Sequence, residues 1–232
     1  TELLSKFSYR VLKEDCLDLP DKIYLRREIE LTPEQKKIYK ELREYAIANL
    51  SNAEVVTASS VLTQLLRLHQ GSCGFVSPQE LKNNRVSELM QILDETSGKV
   101  IIWANYQYDI ERIYRAISEA HGPESVGTYY GATSDLDRKT LVADFQDPDS
   151  PVRYFVGNTQ TGGYGLTLTA AHTVVYYSNS YDLEKRLQSE DRAHRIGQTS
   201  KVTYIDLFCK DTVDEKIVKA LREKLDVAKQ VL

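Results

Sequence analysis

Val152-Arg153-Tyr154-Phe155-Val156-Gly157-Asn158-Thr159-Gln160-Thr161-Gly162-Gly163-Tyr164-Gly165-Leu166-Thr167-Leu168 is the stretch that decides how the chain is built. It opens on a short apolar run of the kind found in strands buried on both faces. It then breaks into a glycine cluster, where backbone amides can approach a phosphate or nucleotide with no Cβ in the way. Working outward, the same grammar recurs in the runs Val100–Trp103, Val126–Tyr130, Val174–Tyr177 and Val202–Phe208. Between them, helical periodicity predicts helices over Val86–Leu93, Ile110–Ile117 and Leu136–Phe145, and a further helix is expected to start just after Gly165. Thr212-Val213-Asp214-Glu215 reads as a capping box that opens a last amphipathic helix through Leu221 and Leu225. Short strands alternating with helices predict parallel β–α units, with a sheet covered on both faces.

This grammar begins at Asn84. Upstream, Ile23–Leu31 reads as a strand, and Thr32-Pro33-Glu34-Gln35 is a helix start with Gln35 placed to complete a capping box. A second helix is expected from Glu54 to Leu68, ended by Gly71-Ser72-Cys73-Gly74. The expected organisation is therefore a helical appendage over 1–83 and an α/β domain over 84–232. The 232 residues are 41% apolar, enough for a packed core, and no stretch approaches the length of a membrane span. Thr1, in place of an initiator Met, points to a piece of a longer chain, and nothing there resembles a signal peptide.

A formal net charge of −4 excludes nucleic-acid binding by bulk positive charge, but leaves room for a few phosphate contacts on one face. Cys16, Cys73 and Cys209 lie far apart, and the four histidines show no metal-ligand spacing, so buried thiols and no metal site are expected. Trp103 is expected in the core. The acidic pairs Asp94-Glu95 and Asp214-Glu215 read as solvated helix faces.

The chemistry is concentrated in Gln188-Ser189-Glu190-Asp191-Arg192-Ala193-His194-Arg195-Ile196-Gly197-Gln198. If helical, Arg192 and Arg195 share one face. Guanidinium forks never lose their charge and donate paired hydrogen bonds, so two of them can neutralise charge developing on a transferred γ-phosphoryl group. Taken alone, the arginines would suggest only a solvated helix end, but the whole string resembles the sixth motif of the SWI/SNF-like DNA translocases, Gln-x-x-Asp-Arg-x-His-Arg-Ile-Gly-Gln. Thr159–Leu168 resembles their fifth motif, and Lys99–Tyr106 their fourth. Gly131, Arg138 and Phe145 fit the family's loop-and-helix pattern, while Leu19–Lys22 and Leu31–Gln35 resemble the segment joining its two lobes. Thr167, His172 and Tyr181-Asp182-Leu183 depart from the usual residues.

The resemblance implies a three-layer RecA-like α/β fold with a mainly parallel sheet and an N-terminal helical appendage. It implies the C-terminal half of an ATP-dependent double-stranded DNA translocase, with Arg192 and Arg195 as catalytic arginines. Gln188, Asp191, Gly163 and Gly165 are the implied nucleotide-binding residues, and Asn105, Gly131, Thr159 and Gly162 the implied DNA contacts. ATP and Mg2+ would be held mainly by an N-terminal RecA-like lobe of the same protein, because no phosphate-binding Gly-x-x-x-x-Gly-Lys loop occurs here. This chain alone is therefore expected to be inactive. The absence of large insertions suggests a compact prokaryotic or phage protein, cytoplasmic and nucleoid-associated. A non-catalytic interaction module of the same fold is the competing reading. A Rossmann-type enzyme is not, since the Gly-x-Gly-x-x-Gly turn is missing.

Overall fold

The computed structural model describes residues 17–51, 57–161 and 165–231, with side chains as far as Leu225. Cys16, the expected helix start at Glu54, Gly162 and Gly163 lie outside the described residues. In chain order the elements are β1 (Lys22–Ile29), α1 (Pro33–Ser51), α2 (Ala58–Ser72), β2 (Phe75–Val76), β3 (Gln79–Glu80), α3 (Arg85–Glu95), β4 (Lys99–Trp103) and α4 (Gln107–His121). They continue with β5 (Val126–Tyr129), α5 (Asp135–Gln146), β6 (Tyr154–Gly157), β7 (Ala171–Tyr176), α6 (Leu183–Ala193), β8 (Val202–Cys209) and α7 (Val213–Val231).

Six strands form one sheet in the order β1-β8-β7-β4-β6-β5, and every pairing is parallel. The predicted three-layer RecA-like architecture is present. β4 sits in the middle and alternates between two cores. Val100 and Ile102 pack with Leu89, Ile92, Ile113 and Ile117 of α3 and α4 on one face. Ile101 and Trp103 pack with Leu141, Phe145, Leu166, Leu168 and Ala193 on the other. A strand apolar at every position is what burial on both faces selects. The sheet's edge strand β1 comes from the segment that the sequence assigns to the appendage, and it pairs only with β8.

Of the two capping boxes read in the sequence, the one at Thr32 is formed, whereas at Thr212 the side chain accepts from Asp214 N and Glu215 from Asp211 N, one residue out of that register. Thr32 and Gln35 exchange side-chain-to-backbone bonds of 3.2 Å in each direction at the start of α1. Two further expectations are corrected. No helix starts after Gly165: residues 166–168 are irregular and lead through a turn into β7, while the helix of this unit is α6, opened by Asp182, whose side chain accepts from Lys185 N. A glycine-flanked apolar run is equally compatible with an extended, buried segment, and here Leu166 and Leu168 are buried beside the sheet.

Asp214 is not on a solvated face. It is fully buried, paired with Arg85 and 3.4 Å from His69 Nε2, while Glu215 reaches back to the amide of Asp211 at 2.9 Å. Cys73 and Cys209 are buried free thiols, and Trp103 is fully buried in the core.

Candidate active site and nucleic-acid edge

Parallel pairing gives the sheet two distinct ends, and the candidate residues divide between them. At the carboxyl end of β4, Asn105 is held through its backbone. Its amide donates to Ser178 Oγ at 2.8 Å, and its carbonyl accepts from Asn158 Nδ2 at 2.8 Å. Asn158 Oδ1 also takes the amide of Gln160 at 2.8 Å, which fixes the exit from β6 and with it Thr159. A cleft of about 200 Å³ opens beside them, lined by Gln107, Tyr130, Gly131, Asn158, Gln160 and Thr161. Arg138 holds the Gly131 turn by donating to Tyr130 O at 2.8 Å. Asn105, Gly131 and Thr159 are thus brought to one edge, where open α/β sheets present ligand sites.

Beneath that edge lies a buried polar network. Ser178 Oγ donates to Asp109 Oδ2 at 3.3 Å. Burial raises the Asp109 carboxyl to about 7, although Arg85 and Arg112 pull it down. Arg85, fully buried, donates to Tyr177 O, Leu207 O and Asp214. Burial works to raise Asp214 as well, but there Arg85 and the bond with His69 prevail and hold the carboxyl at about 2. His69 Nδ1 meets Tyr106 Oη at 2.7 Å, so α2 is tied to the residue following Asn105.

The arginines stand at the other end of the sheet. Gly157 is level with Trp103, the last residue of β4, whereas Ala171 is level with Lys99, the first. The segment 158–170 therefore runs from the carboxyl edge to the amino edge, and it delivers Leu166 and Leu168 to the arginine motif. Leu168 N donates to Arg192 O at 2.9 Å, and Arg195 Nη1 donates to Leu166 O at 3.4 Å.

The expected common helical face is replaced by a different geometry. α6 stops at Ala193, so Arg192 lies in its last turn and Arg195 beyond it. Arg192 is buried and Arg195 exposed. Burial, and after it the like charge of Arg195, lowers the pKa of Arg192. Two guanidinium groups close enough to repel gain from an anion set between them.

Asp191 is half-buried in the same turn as Arg192, and Gly165 is exposed with φ +74 and open space where a Cβ would stand. Gln188 donates to Glu184 at 2.9 Å one turn earlier on α6. Sequence reasoning missed Gln198, which is buried and bridges three carbonyls. It also missed Glu190, which accepts from Arg186, Lys22 and Tyr24 and so fixes α6 against β1. Charge inside an apolar-spaced helix was the available signal for Glu190. For Gln198 the signal was its place as the last fixed letter of the arginine motif, which carries no hint of its buried bonds.

The model of the helicase conserved C-terminal domain matches residues 82–197, half of the chain. The chain is 42% identical over 102 residues to the chromatin-remodeling ATPase INO80 of Arabidopsis thaliana, covering 44% of this chain and 7% of that protein. It is 25% identical to an uncharacterized ATP-dependent helicase of Mycoplasma pneumoniae, over 99% of this chain and 22% of the relative. It thus spans less than a quarter of the length of these curated relatives. Among solved structures, the Sulfolobus solfataricus SWI2/SNF2 ATPase core in complex with dsDNA superposes with a TM-score of 0.71 at 28% identity, covering 100% of this chain and 51% of that one. The chain belongs to the helicase conserved C-terminal domain family, as a C-terminal lobe of the SWI2/SNF2 type.

Proposed function

We propose that this chain is the C-terminal half of an ATP-dependent double-stranded DNA translocase. Its amino-edge arginines complete an ATP site whose remainder lies on an N-terminal RecA-like lobe of the same protein. The observation that carries the reading is the arginine pair: Arg195 reaches out from a turn beside the buried Arg192, and both are anchored on the segment that also builds the carboxyl edge.

The residues fit an anionic ligand. When the lobes close, Arg195 meets the γ-phosphate, Arg192 braces the phosphates, and Asp191 and Gly165 border the nucleotide. ATP with Mg2+ supplies the scissile phosphoryl group. Mg2+ is assigned, with the phosphate-binding loop, mainly to the other lobe. Asn105, Gly131 and Thr159 contact the phosphate backbone of DNA at the opposite edge, and Gly162 is assigned to the same contact by sequence, as Gly163 is to the nucleotide.

Residues 1–83 form the interlobe segment and 84–232 the lobe proper, with β1 borrowed into the lobe's sheet. The Mycoplasma relative supports a prokaryotic source, and with it the reading of a compact, cytoplasmic, nucleoid-associated protein of prokaryotic or phage type. No described helix is long and apolar enough to cross a membrane.

The test is ATP hydrolysis by the full-length protein with duplex DNA, single-stranded DNA or structured RNA added. Stimulation is expected to be greatest with duplex DNA and to weaken as salt is raised, since backbone contacts release counterions. Preferential stimulation by structured RNA overturns the substrate assignment. Absence of hydrolysis with every nucleic acid moves the non-catalytic interaction module to the front.

A further inference from the structure

α6 ends two residues before Arg195, so the helix does not set where that guanidinium points. Beyond Ala193 the chain turns. Gln198 N donates to Arg195 O at 2.9 Å, closing Arg195-Ile196-Gly197-Gln198, and Gly197 occupies the third position with φ +98. A turn with positive φ at its third residue favours glycine there. The Gly197 Cβ position faces open space, so its requirement is conformational rather than steric. Left alone, such a turn at a helix end frays.

This one is pinned from beneath by its last residue. The Gln198 side chain is buried, and its Nε2 donates to Thr169 O at 3.1 Å, Ala171 O at 3.0 Å and Ala193 O at 3.1 Å, while its Oε1 accepts from Ser200 N at 3.0 Å. Those carbonyls belong to the approach to β7, the first residue of β7 and the end of α6. One amide therefore fastens the helix end to the same 158–170 segment that receives Arg195 at Leu166.

We propose that Gln198 is a positioning residue for Arg195: its side-chain amide locks the turn that presents the guanidinium, and Gly197 gives that turn its shape. The inference rests on the reading of Arg195 as a phosphate-contacting group. It adds that the arginine is pre-set before any nucleotide arrives. The chemistry favours an amide here over a carboxylate or a thioether of its size. A carboxylate would set an acceptor against three carbonyls, and a thioether would leave all three without this donor.

The test is a double-mutant cycle in the full-length protein, read as DNA-stimulated kcat, ATP KM and duplex-DNA affinity. Misplacing a reacting group by about 1 Å costs roughly 10²-fold, so Gln198→Met is expected to lower kcat by about 10- to 100-fold. ATP KM and DNA affinity should stay within about threefold, because the lost interaction is one made in the transition state. In an Arg195→Ala background the same Gln198→Met change is expected to alter kcat less than about twofold, since its effect passes through the missing arginine. An equal loss in both backgrounds overturns the proposal in favour of a general structural role, and so does wild-type kcat in Gln198→Met. Near-wild-type turnover in Arg195→Ala alone overturns the underlying assignment of the arginine, which is a distinct failure. If Gln198→Met does not fold, Gly197→Ala perturbs the same turn from its exposed side. It is expected to give the same loss, again only when Arg195 is present, and an undiminished kcat in that variant counts against the proposal.

Discussion

Arg195 and Arg192 are three residues apart but are not equivalent. Arg195 extends into solvent from a turn, with one long bond to Leu166 O, whereas Arg192 is buried and its carbonyl is part of the motif's scaffold. Arg195→Ala in the full-length protein is therefore expected to lower DNA-stimulated hydrolysis by about 10³–10⁵. The lobe should stay folded and DNA binding intact. Lysine at that position should rescue poorly, because a point charge does not reproduce the planar fork.

Two buried carboxylates beneath the carboxyl edge titrate in opposite senses. Asp109, raised to about 7, favours the proton in the folded state, so its contribution makes stability fall as pH rises from about 4 to 7. Asp214, held at about 2, contributes stability present above its unfolded value and lost as pH falls toward 2. Asp109→Asn should flatten the pH dependence of chemical denaturation between pH 4 and 7, by at most about 1.4 kcal/mol per pH unit. An unchanged slope removes Asp109 as its source. The sequence could not disclose this pairing: Asp214 and its neighbour look like an ordinary acidic helix start, and the arginine that buries with it sits at the head of α3. Arg85→Met, which strands that carboxylate, should cost about 3–5 kcal/mol of stability in urea denaturation.

At the scale of elements, the strand runs were legible because a strand buried on both faces is apolar along most of its length, as β6 and the Val100–Trp103 part of β4 are, and as β8 is apart from Thr203 and Asp206. α6 was harder. The same three-residue spacing occurs in a helix and in a helix that ends in a turn, and Gly197 was the letter that separated the two. The link between β6 and β7 was misread for a related reason, since glycines ahead of leucines suit either a helix start or a tucked extended segment. Gly157, which ends β6, is required for room. A Cβ there would lie 2.9 Å from Tyr129 O, 3.0 Å from the Trp103 ring and 3.2 Å from the Phe155 ring. Gly157→Ala is expected to destabilise the chain by about 1–3 kcal/mol, read as a lower urea midpoint. Because Asn158 comes directly after it and holds Asn105, weaker DNA affinity in the full-length protein should accompany the loss.

At the scale of the whole molecule, the sheet sets two workplaces at its two ends, with the 158–170 segment as their covalent link. Under the proposed function the phosphate-binding loop lies on the other lobe, so the purified chain is expected to hydrolyse no ATP with or without DNA. Measurable DNA-stimulated turnover, free of contaminating ATPase, would refute that. The sequence made the lobe's identity readable through one eleven-residue string, but the lobe's extent was less clear. β1 alternates irregularly, and its partner lies almost at the other end of the chain.

That pairing has a consequence in time. Lys22 lies against Val202 and Ile29 against Cys209, so the first described strand has no neighbour in the sheet until the last one exists. On a ribosome β1 emerges early and must wait, unpaired, while nearly all of the lobe is synthesised. In refolding from denaturant, closing so long a loop puts its docking behind the assembly of the central strands. Pulse-labelled amides of β1 should therefore become protected after those of β4 and β6, and the delay should shorten in a circular permutant in which the segment carrying β1 follows α7, the helix after β8.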